Sequence, residues 1–272
     1  MANGSTDLDP ATRADLVDVA RQLADVARPE TLRHFRSAAL AVDDKGDGRF
    51  DPVTEADRAA ERAMREVLAA RRPDDGILGE EFGRTEGTSG IDWILDPIDG
   101  TRGYMSGTPT WGVLIAAATG GRPVLGIIDQ PFIGERFLGG LGHAECTGPQ
   151  GAAPLRCRAA RPLAEATLFT TFPEVGTPDE RRGFEAVARQ ARLVRYGMDC
   201  YAYALVAAGQ VDLVIEAGLA PYDIAGPLAV VEAAGGIVTD WQGGDASGGG
   251  RVIAAANREV HAEALALLSG MS

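Results

Sequence analysis

The segment Trp93-Ile94-Leu95-Asp96-Pro97-Ile98-Asp99-Gly100-Thr101 reads as a short apolar strand that runs into a tight Pro-Ile-Asp-Gly turn. The spacing puts Asp96 at the strand end and Asp99 on the turn. Two carboxylates three residues apart across such a turn can converge on one point, and Ile98 between them offers a backbone carbonyl. Hard oxygen ligands of this kind suit Mg²⁺, which takes one or two carboxylates together with waters and a substrate phosphate. Gly100 and Thr101 present backbone N–H groups on the other side of the turn. A helix starting nearby would add an N-terminus that favours phosphate.

Outward from this turn, the pattern predicts a mixed α and β chain. Upstream, Leu16, Val17, Val19, Ala20, Leu23, Ala24 and Ala27 form an apolar helical stripe over Thr12 to Ala27. Pro29 is expected to limit that helix, with a short helical piece following at Thr31 to Arg36. Asp43 to Pro52 is a Gly- and Asp-rich loop. It fails as an EF-hand because Lys45 and Thr54 stand where ligands are needed. Its Lys45 to Phe50 portion is expected to close over the site. Thr54 and Asp57 resemble a capping box before a helix running to Arg72. Downstream, Trp111 to Ala118, Val124 to Ile128 and Arg136 to Gly139 read as an antiparallel meander. A second set of strands is expected at Leu168 to Thr171, Val211 to Ile215, Ile237-Val238 and Val252 to Ala255. Helices are expected at Pro178 to Arg192, Tyr201 to Ala208, Ala225 to Ala234 and Glu259 to Leu268. The expected organisation is a flexible N-terminus over residues 1–11 and one domain over 12–272, with a soft division near 142–154.

Composition excludes several function classes. The chain has 272 residues, 45% of them apolar and 24% charged, which suits a soluble globular protein. With 26 basic residues against 39 acidic ones the net charge is −13, which disfavours nucleic acid and anionic membranes as partners. A small anionic substrate is still compatible, because bound cations reverse the local sign. Three cysteines with no C-x-x-C and three scattered histidines argue against a disulfide framework and against a zinc site. The polar, acidic start does not read as a signal peptide, so the expected location is cytoplasmic.

The chain resembles the inositol monophosphatase family of Mg²⁺-dependent, lithium-sensitive phosphatases. Asp96-Pro97-Ile98-Asp99-Gly100-Thr101 matches its signature. Three further pieces match in order: Asp51-Pro52-Val53-Thr54-Glu55-Ala56-Asp57 (D-x-V-T-x-x-D), Gly79-Glu80-Glu81 (G-E-E) and Tyr222-Asp223-Ile224-Ala225-Gly226 (W-D-x-A-G). The resemblance implies a layered α/β/α/β/α fold, commonly a homodimer, and two or three Mg²⁺ ions. It implies that Glu80, Asp96 and the Ile98 carbonyl hold the first ion. Asp96 then bridges to a second held by Asp99 and Asp223, and Glu80 helps hold a third. Thr101, oriented by Asp57, would position the attacking water, and the Gly100 and Thr101 amides would hold phosphate. No Cys or Ser with a His partner is evident, so a phosphoenzyme is not needed.

The same resemblance places the contacts to the alcohol portion of a small phosphorylated metabolite at Gly197, Met198, Asp199 and Glu216, with Asp99 and Asp223 also facing it. Here the chain departs from the inositol pattern. Asp199 stands where small residues are usual, Tyr222 replaces Trp, and Ile128-Asp129-Gln130-Pro131-Phe132 follows the meander. These features look like the histidinol-phosphate phosphatase branch. Histidinol carries an ammonium that Asp199 and Glu216 could pair with, whereas inositol is a neutral polyol. Hydrolysis of inositol 1-phosphate or of a broad range of small phosphomonoesters is the runner-up reading, and a non-catalytic phosphometabolite sensor stands behind both. The intact Asp57 and Thr101 argue against the sensor.

Overall fold

The computed structural model describes residues 8–37, 42–44 and 52–268, and for 42–44 and 52–54 the backbone only. Met1 to Asp7, the Lys45 to Phe50 loop and Asp51 of the first acidic motif lie outside the described residues.

In chain order the elements are α1 (Pro10–His34), β1 (Val42–Asp44), β2 (Pro52–Thr54), α2 (Glu55–Arg71), β3 (Gly76–Gly79), β4 (Gly83–Thr85), β5 (Ile91–Asp99) and α3 (Thr101–Ser106). The meander follows as β6 (Gly112–Thr119), β7 (Arg122–Gln130), β8 (Glu135–Gly140), β9 (His143–Gly148) and β10 (Gly151–Pro154). The second half holds β11 (Thr167–Thr170), α4 (Pro178–Ala188), β12 (Leu193–Tyr196), α5 (Tyr201–Ala207), β13 (Leu213–Leu219), α6 (Pro221–Ala233), β14 (Ile237–Asp240), β15 (Gly250–Ala255) and α7 (Arg258–Leu268).

Eight strands form one sheet in the order β10-β9-β8-β7-β6-β5-β3-β4, and five form another in the order β12-β11-β13-β15-β14. A two-stranded ribbon, β1-β2, stands apart. Three apolar clusters separate five layers. Leu16, Leu23 and Ala27 of α1 and Met64 and Leu68 of α2 pack on Trp93, Ile115 and Ile127 of the large sheet. On the other face of that sheet, Tyr203 and Val206 of α5 and Leu228 and Val231 of α6 fill the space between the sheets. Phe184 of α4 and Val260 and Leu268 of α7 cover the outer face of the small sheet. The order is α/β/α/β/α, as the resemblance implies. Helix α6 is apolar on every side (Ile224, Ala225, Leu228, Val230 and Val231 are all buried), which is the pattern of a helix enclosed between two layers.

Several expectations need correction. Pro29 does not end the first helix, which begins at Pro10 behind an Asp9 cap and continues to His34. A proline removes one helical hydrogen bond, and tertiary contacts on both sides of it compensate. Arg28 makes a bidentate pair with the buried Asp129 at 2.7 and 2.8 Å, and the Tyr104 hydroxyl donates to the Thr31 carbonyl at 2.7 Å. Residues 143–154 are the hairpin β9-β10, which completes the large sheet, so the passage to the second sheet comes after Pro154. Strand β7 begins at Arg122, before the expected Val124, so the turn from β6 is confined to Gly120 and Gly121, both at positive φ. Strands β4 and β12 were not anticipated. Both are short edge strands with little apolar patterning to betray them.

The Pro-Ile-Asp-Gly segment is also built differently from the expected tight turn. Strand β5 continues through it to Asp99, with the register slipping against β6: Asp96 faces Leu114, but Asp99 faces Gly112. One extra residue is thus bulged out, which accommodates Pro97 with its missing donor. In a regular strand, residues three apart point to opposite faces. The bulge reverses that parity, so Asp96 and Asp99 emerge on the same side. Gly100 then turns the chain at φ 85° into α3.

Candidate active site

A cleft of about 630 Å³ opens where the C-terminal end of β5, the start of α3, the end of β11, the start of α5 and the start of α6 meet. Glu80, Asp96, Ile98, Asp99, Gly100, Thr101, Asp199, Glu216 and Asp223 all line it. Asp57 is buried in the first turn of α2 behind this wall, close enough for its charge to act on Tyr104 of α3. Gly197 and Met198 do not line the cleft; Met198 packs against the core instead.

The acids converge as the motif predicts. Carboxylate oxygens of Asp96, Asp99 and Asp223 lie within 4.8 Å of one another, and Glu80 shares a hydrogen bond with Asp96. The framework around them is fixed. The Ile98 N–H donates to Asp96 at 3.1 Å, the Thr101 hydroxyl donates to the Ile98 carbonyl at 3.2 Å, and the Cys200 N–H donates to Asp99 at 2.7 Å. Asp223 sits at the third position of α6, where its carboxylate accepts the Ala220 N–H at 2.7 Å.

Burial pushes the carboxyl groups of Asp96 and Asp99 well above the usual carboxylate range. The neighbouring charges of Glu80, Asp99 and Asp223 add to this at Asp96, and those of Asp223, Asp199 and Glu216 at Asp99. A group of acids that repel each other in a dry pocket is poorly disposed to stand alone, and it is well disposed to receive a divalent cation. The donor set is all carboxylate and carbonyl oxygen, which fits Mg²⁺ rather than a soft metal.

Asp199 lies directly against the turn at Gly100, beside Asp99. A Cβ added to Gly100 would come within 2.7 Å of it, and one added to Gly103 within 2.8 Å. Its carboxylate accepts from the Thr110 hydroxyl at 2.7 Å. Burial raises its pKa, against the hydrogen bond from Thr110 and the charge of Arg102. Glu216 is held by the N–H and hydroxyl of Thr171 and by the Tyr203 hydroxyl at 2.7 Å. Burial raises its pKa too, in spite of those hydrogen bonds. At the rim, the Arg102 guanidinium stacks over the half-exposed ring of Phe172 at 4.8 Å. Arg102 is the one cationic side chain among the described residues that line the cleft. The sequence reading missed both residues, and nothing in their spacing marked them.

Cys200 and Tyr203, also on the wall, have strongly raised pKa values, chiefly through burial and then through the nearby acids. Burial of the Cys200 thiol disfavours the thiolate. The Asp129 segment, read as part of the substrate-branch pattern, takes a structural role. Asp129 is fully buried and pinned by Arg28 and Arg136, and Gln130 braces the Trp111 carbonyl and the Ile133 N–H.

The family model for the inositol monophosphatase family matches residues 12–271. The chain belongs to this family. Among curated relatives it is 38% identical to the chloroplastic bifunctional phosphatase IMPL2 of Arabidopsis thaliana, over 91% of this chain and 73% of that one. It is 36% identical to the histidinol-phosphatase of Mycobacterium tuberculosis, over 92% and 96%. Among solved structures, an inositol monophosphatase from Zymomonas mobilis superposes with a TM-score of 0.83 at 39% identity, over 94% of this chain and 98% of that one. The whole architecture, including the bulged β5 and the buried α6, is thus a phosphatase fold of this family. No helix among the described residues is long and apolar enough to cross a membrane.

Proposed function

We propose that this protein is a Mg²⁺-dependent phosphomonoesterase that hydrolyses L-histidinol phosphate to L-histidinol and phosphate. The observation that carries the choice of substrate is the placement of Asp199. It occupies the cleft wall beside Gly100, near enough to Asp99 for its charge to act there, with Glu216 on the same cleft. Two carboxylates there suit a cationic amino alcohol better than a neutral polyol. The histidinol-phosphatases among its relatives support the same reading.

Asp96, Asp99, Asp223, Glu80 and the Ile98 carbonyl would hold two or three Mg²⁺ ions. Bound there, Mg²⁺ lowers the pKa of water and neutralises charge on the leaving oxygen. The remaining work falls to the chain. The Gly100 and Thr101 amides hold a phosphate oxygen at the turn. The Thr101 hydroxyl, set by the Ile98 carbonyl and by Asp57, orients the attacking water in line with the ester bond. Asp57→Asn should cut turnover by roughly two to four orders of magnitude with substrate still bound, as for loss of a general acid–base group. Turnover within a few-fold of wild type would remove the role assigned to Asp57.

The second reading, hydrolysis of inositol 1-phosphate, is favoured by the likeness to the Zymomonas mobilis enzyme. Phosphate release with Mg²⁺, from the two substrates at matched concentration and with an EDTA control, separates them. A strong preference for histidinol phosphate is expected. A preference for inositol phosphate would keep the metal site and discard the substrate. The reading includes a cytoplasmic homodimer, as the resemblance implies, and sedimentation would measure its mass.

A further inference from the structure

Helix α2 buries two acids one turn apart, Asp57 and Glu61. The proposed reaction uses the first and gives the second no task. Glu61 is wholly excluded from solvent, a costly position for a carboxylate unless it is paired and hydrogen-bonded. It is both. The Arg65 Nε donates to it at 2.7 Å, the Glu81 N–H at 2.8 Å and the Phe82 N–H at 3.3 Å. Arg65 continues to the Gly83 carbonyl at 2.5 Å and to the Thr85 hydroxyl at 3.0 Å.

One ion pair therefore grips the whole connection between β3 and β4, the stretch that carries Glu80. The other edge of that stretch is tied to the strand bearing Asp96, because the Glu80 N–H donates to the Leu95 carbonyl at 3.1 Å. Gly79 completes the fit. A Cβ there would lie 1.9 Å from a Glu61 oxygen, so the glycine before Glu80 makes room for the Glu61 carboxylate. Unlike the cleft acids, Glu61 brings its own cation, so it fixes the turn without adding to the repulsion among the ligands.

We propose that Glu61, together with Arg65, is a positioning residue: it holds the Gly79–Phe82 turn so that Glu80 stands beside Asp96 before any cation arrives, and it thereby sets the affinity of the site for Mg²⁺. The inference rests on the reading of Glu80 as a metal ligand. Residues that orient a ligand commonly change metal affinity by about 10- to 100-fold when lost.

The test uses Glu61→Gln, which keeps the size but loses the charge and one acceptor. Two measurements are made: hydrogen exchange of the metal-free protein, and Mg²⁺ titrations read both by the rise in Tm and by turnover. Exchange of the 79–83 amides should speed up by about ten-fold or more, with α1 and the second sheet unchanged. The Mg²⁺ concentration for half of the Tm rise, and for half-maximal turnover, should increase about ten-fold, with turnover at saturating Mg²⁺ within about three-fold. Gly79→Ala, which crowds the carboxylate without touching its charge, should act the same way and serves if Glu61→Gln does not fold. Exchange or Mg²⁺ requirement within about two-fold of wild type would overturn the proposal. So would a loss of turnover that no Mg²⁺ concentration restores, since Glu61 would then act in another step. If wild type itself shows neither a Tm rise nor turnover with Mg²⁺, the metal reading of Glu80 fails and the claim about affinity falls with it, whereas a wild-type response with an unaltered Glu61→Gln curve sinks only the positioning role.

Discussion

The carboxylates of the cleft carry opposite demands. Burial, and then mutual repulsion, holds the carboxyl groups of Asp96 and Asp99 well above the usual carboxylate range, so the folded, metal-free chain holds protons that the unfolded chain releases. Stability must then fall as pH rises above about 4, until the folded groups have ionised. The exposed acids with lowered values, Asp9, Glu55, Glu86 and Asp245, run the other way, but their contribution is complete by about pH 5. His261, which burial holds below the usual imidazole range, also runs the other way, and its contribution is complete by about pH 6.5. In EDTA, Tm should therefore drop between about pH 6.5 and pH 8, and Mg²⁺ should raise Tm more at the upper end. A metal-free Tm that is flat or rising over that range would contradict the arrangement. Asp96→Asn should raise the metal-free stability by about 1 kcal/mol and abolish turnover, the usual exchange at a strained site. For selectivity, Asp199→Ala should lower kcat/KM for histidinol phosphate by roughly 10- to 100-fold, the value of one charged hydrogen bond, and leave inositol 1-phosphate within about three-fold. Equal losses on both substrates would remove Asp199 as selector. At this scale the ordered acids were legible, because each sits in a short motif of unusual composition. Glu61, Arg102 and Phe172 were not. Their importance lies in contacts across the fold, between α2 and the β3–β4 turn and between α3 and the end of β11, which no local pattern encodes.

The elements position these residues through close backbone approach. Helix α6, which carries Asp223, lies almost in contact with the large sheet. A Cβ on Gly126 of β7 would come within 2.3 Å of the Gly226 carbonyl, and one on Gly139 of β8 within 2.4 Å of the Val230 Cα. Gly126→Ala must push α6 away, at a cost of about 1–3 kcal/mol, and should weaken Mg²⁺ affinity by moving Asp223. Urea denaturation and a Mg²⁺ titration measure the two effects, and a stability loss with unaltered Mg²⁺ affinity would mean that α6 tilts about its first turn rather than shifting whole. The helix stripes and the meander strands β6 to β8 follow from their patterns, whereas β9 and β10, in a Gly-rich stretch that reads as a division, do not. The bulge in β5 was read as a turn, because Pro97, Asp99 and Gly100 have turn composition. Only pairing with β6 shows that the strand carries on. Pro29 misled for a similar reason: its local effect is real, but the Arg28–Asp129 pair and the Tyr104 bond to Thr31 hold the helix together past it.

For the whole molecule, the buried middle layer sets the cooperativity. Helix α6 is enclosed by the two sheets, and its side chains belong to the same apolar cluster as Leu114, Ile128 and Phe137 of the large sheet and Val214, Val252 and Ala254 of the small one. Neither sheet can open without exposing that layer. Calorimetry should therefore record one transition with equal calorimetric and van't Hoff enthalpies, and two resolved transitions would show that the sheets unfold as separate units.

The site draws its parts from different layers. The converging acids and the Gly100 turn come from the β3–β4 connection, β5, its continuation into α3, and α6, whereas Glu216 and Phe172 stand on or just beyond strands of the small sheet and Asp199 at the head of α5. On the proposed reading, hydrolytic machinery and alcohol recognition are written in separate stretches of chain. On that reading, exchanges at Phe172, Asp199 and Glu216 would retune the alcohol side from outside the segments that carry Asp96 and Asp223, while altering the field on Asp99, which makes this fold a chassis on which new substrates can be tried one segment at a time.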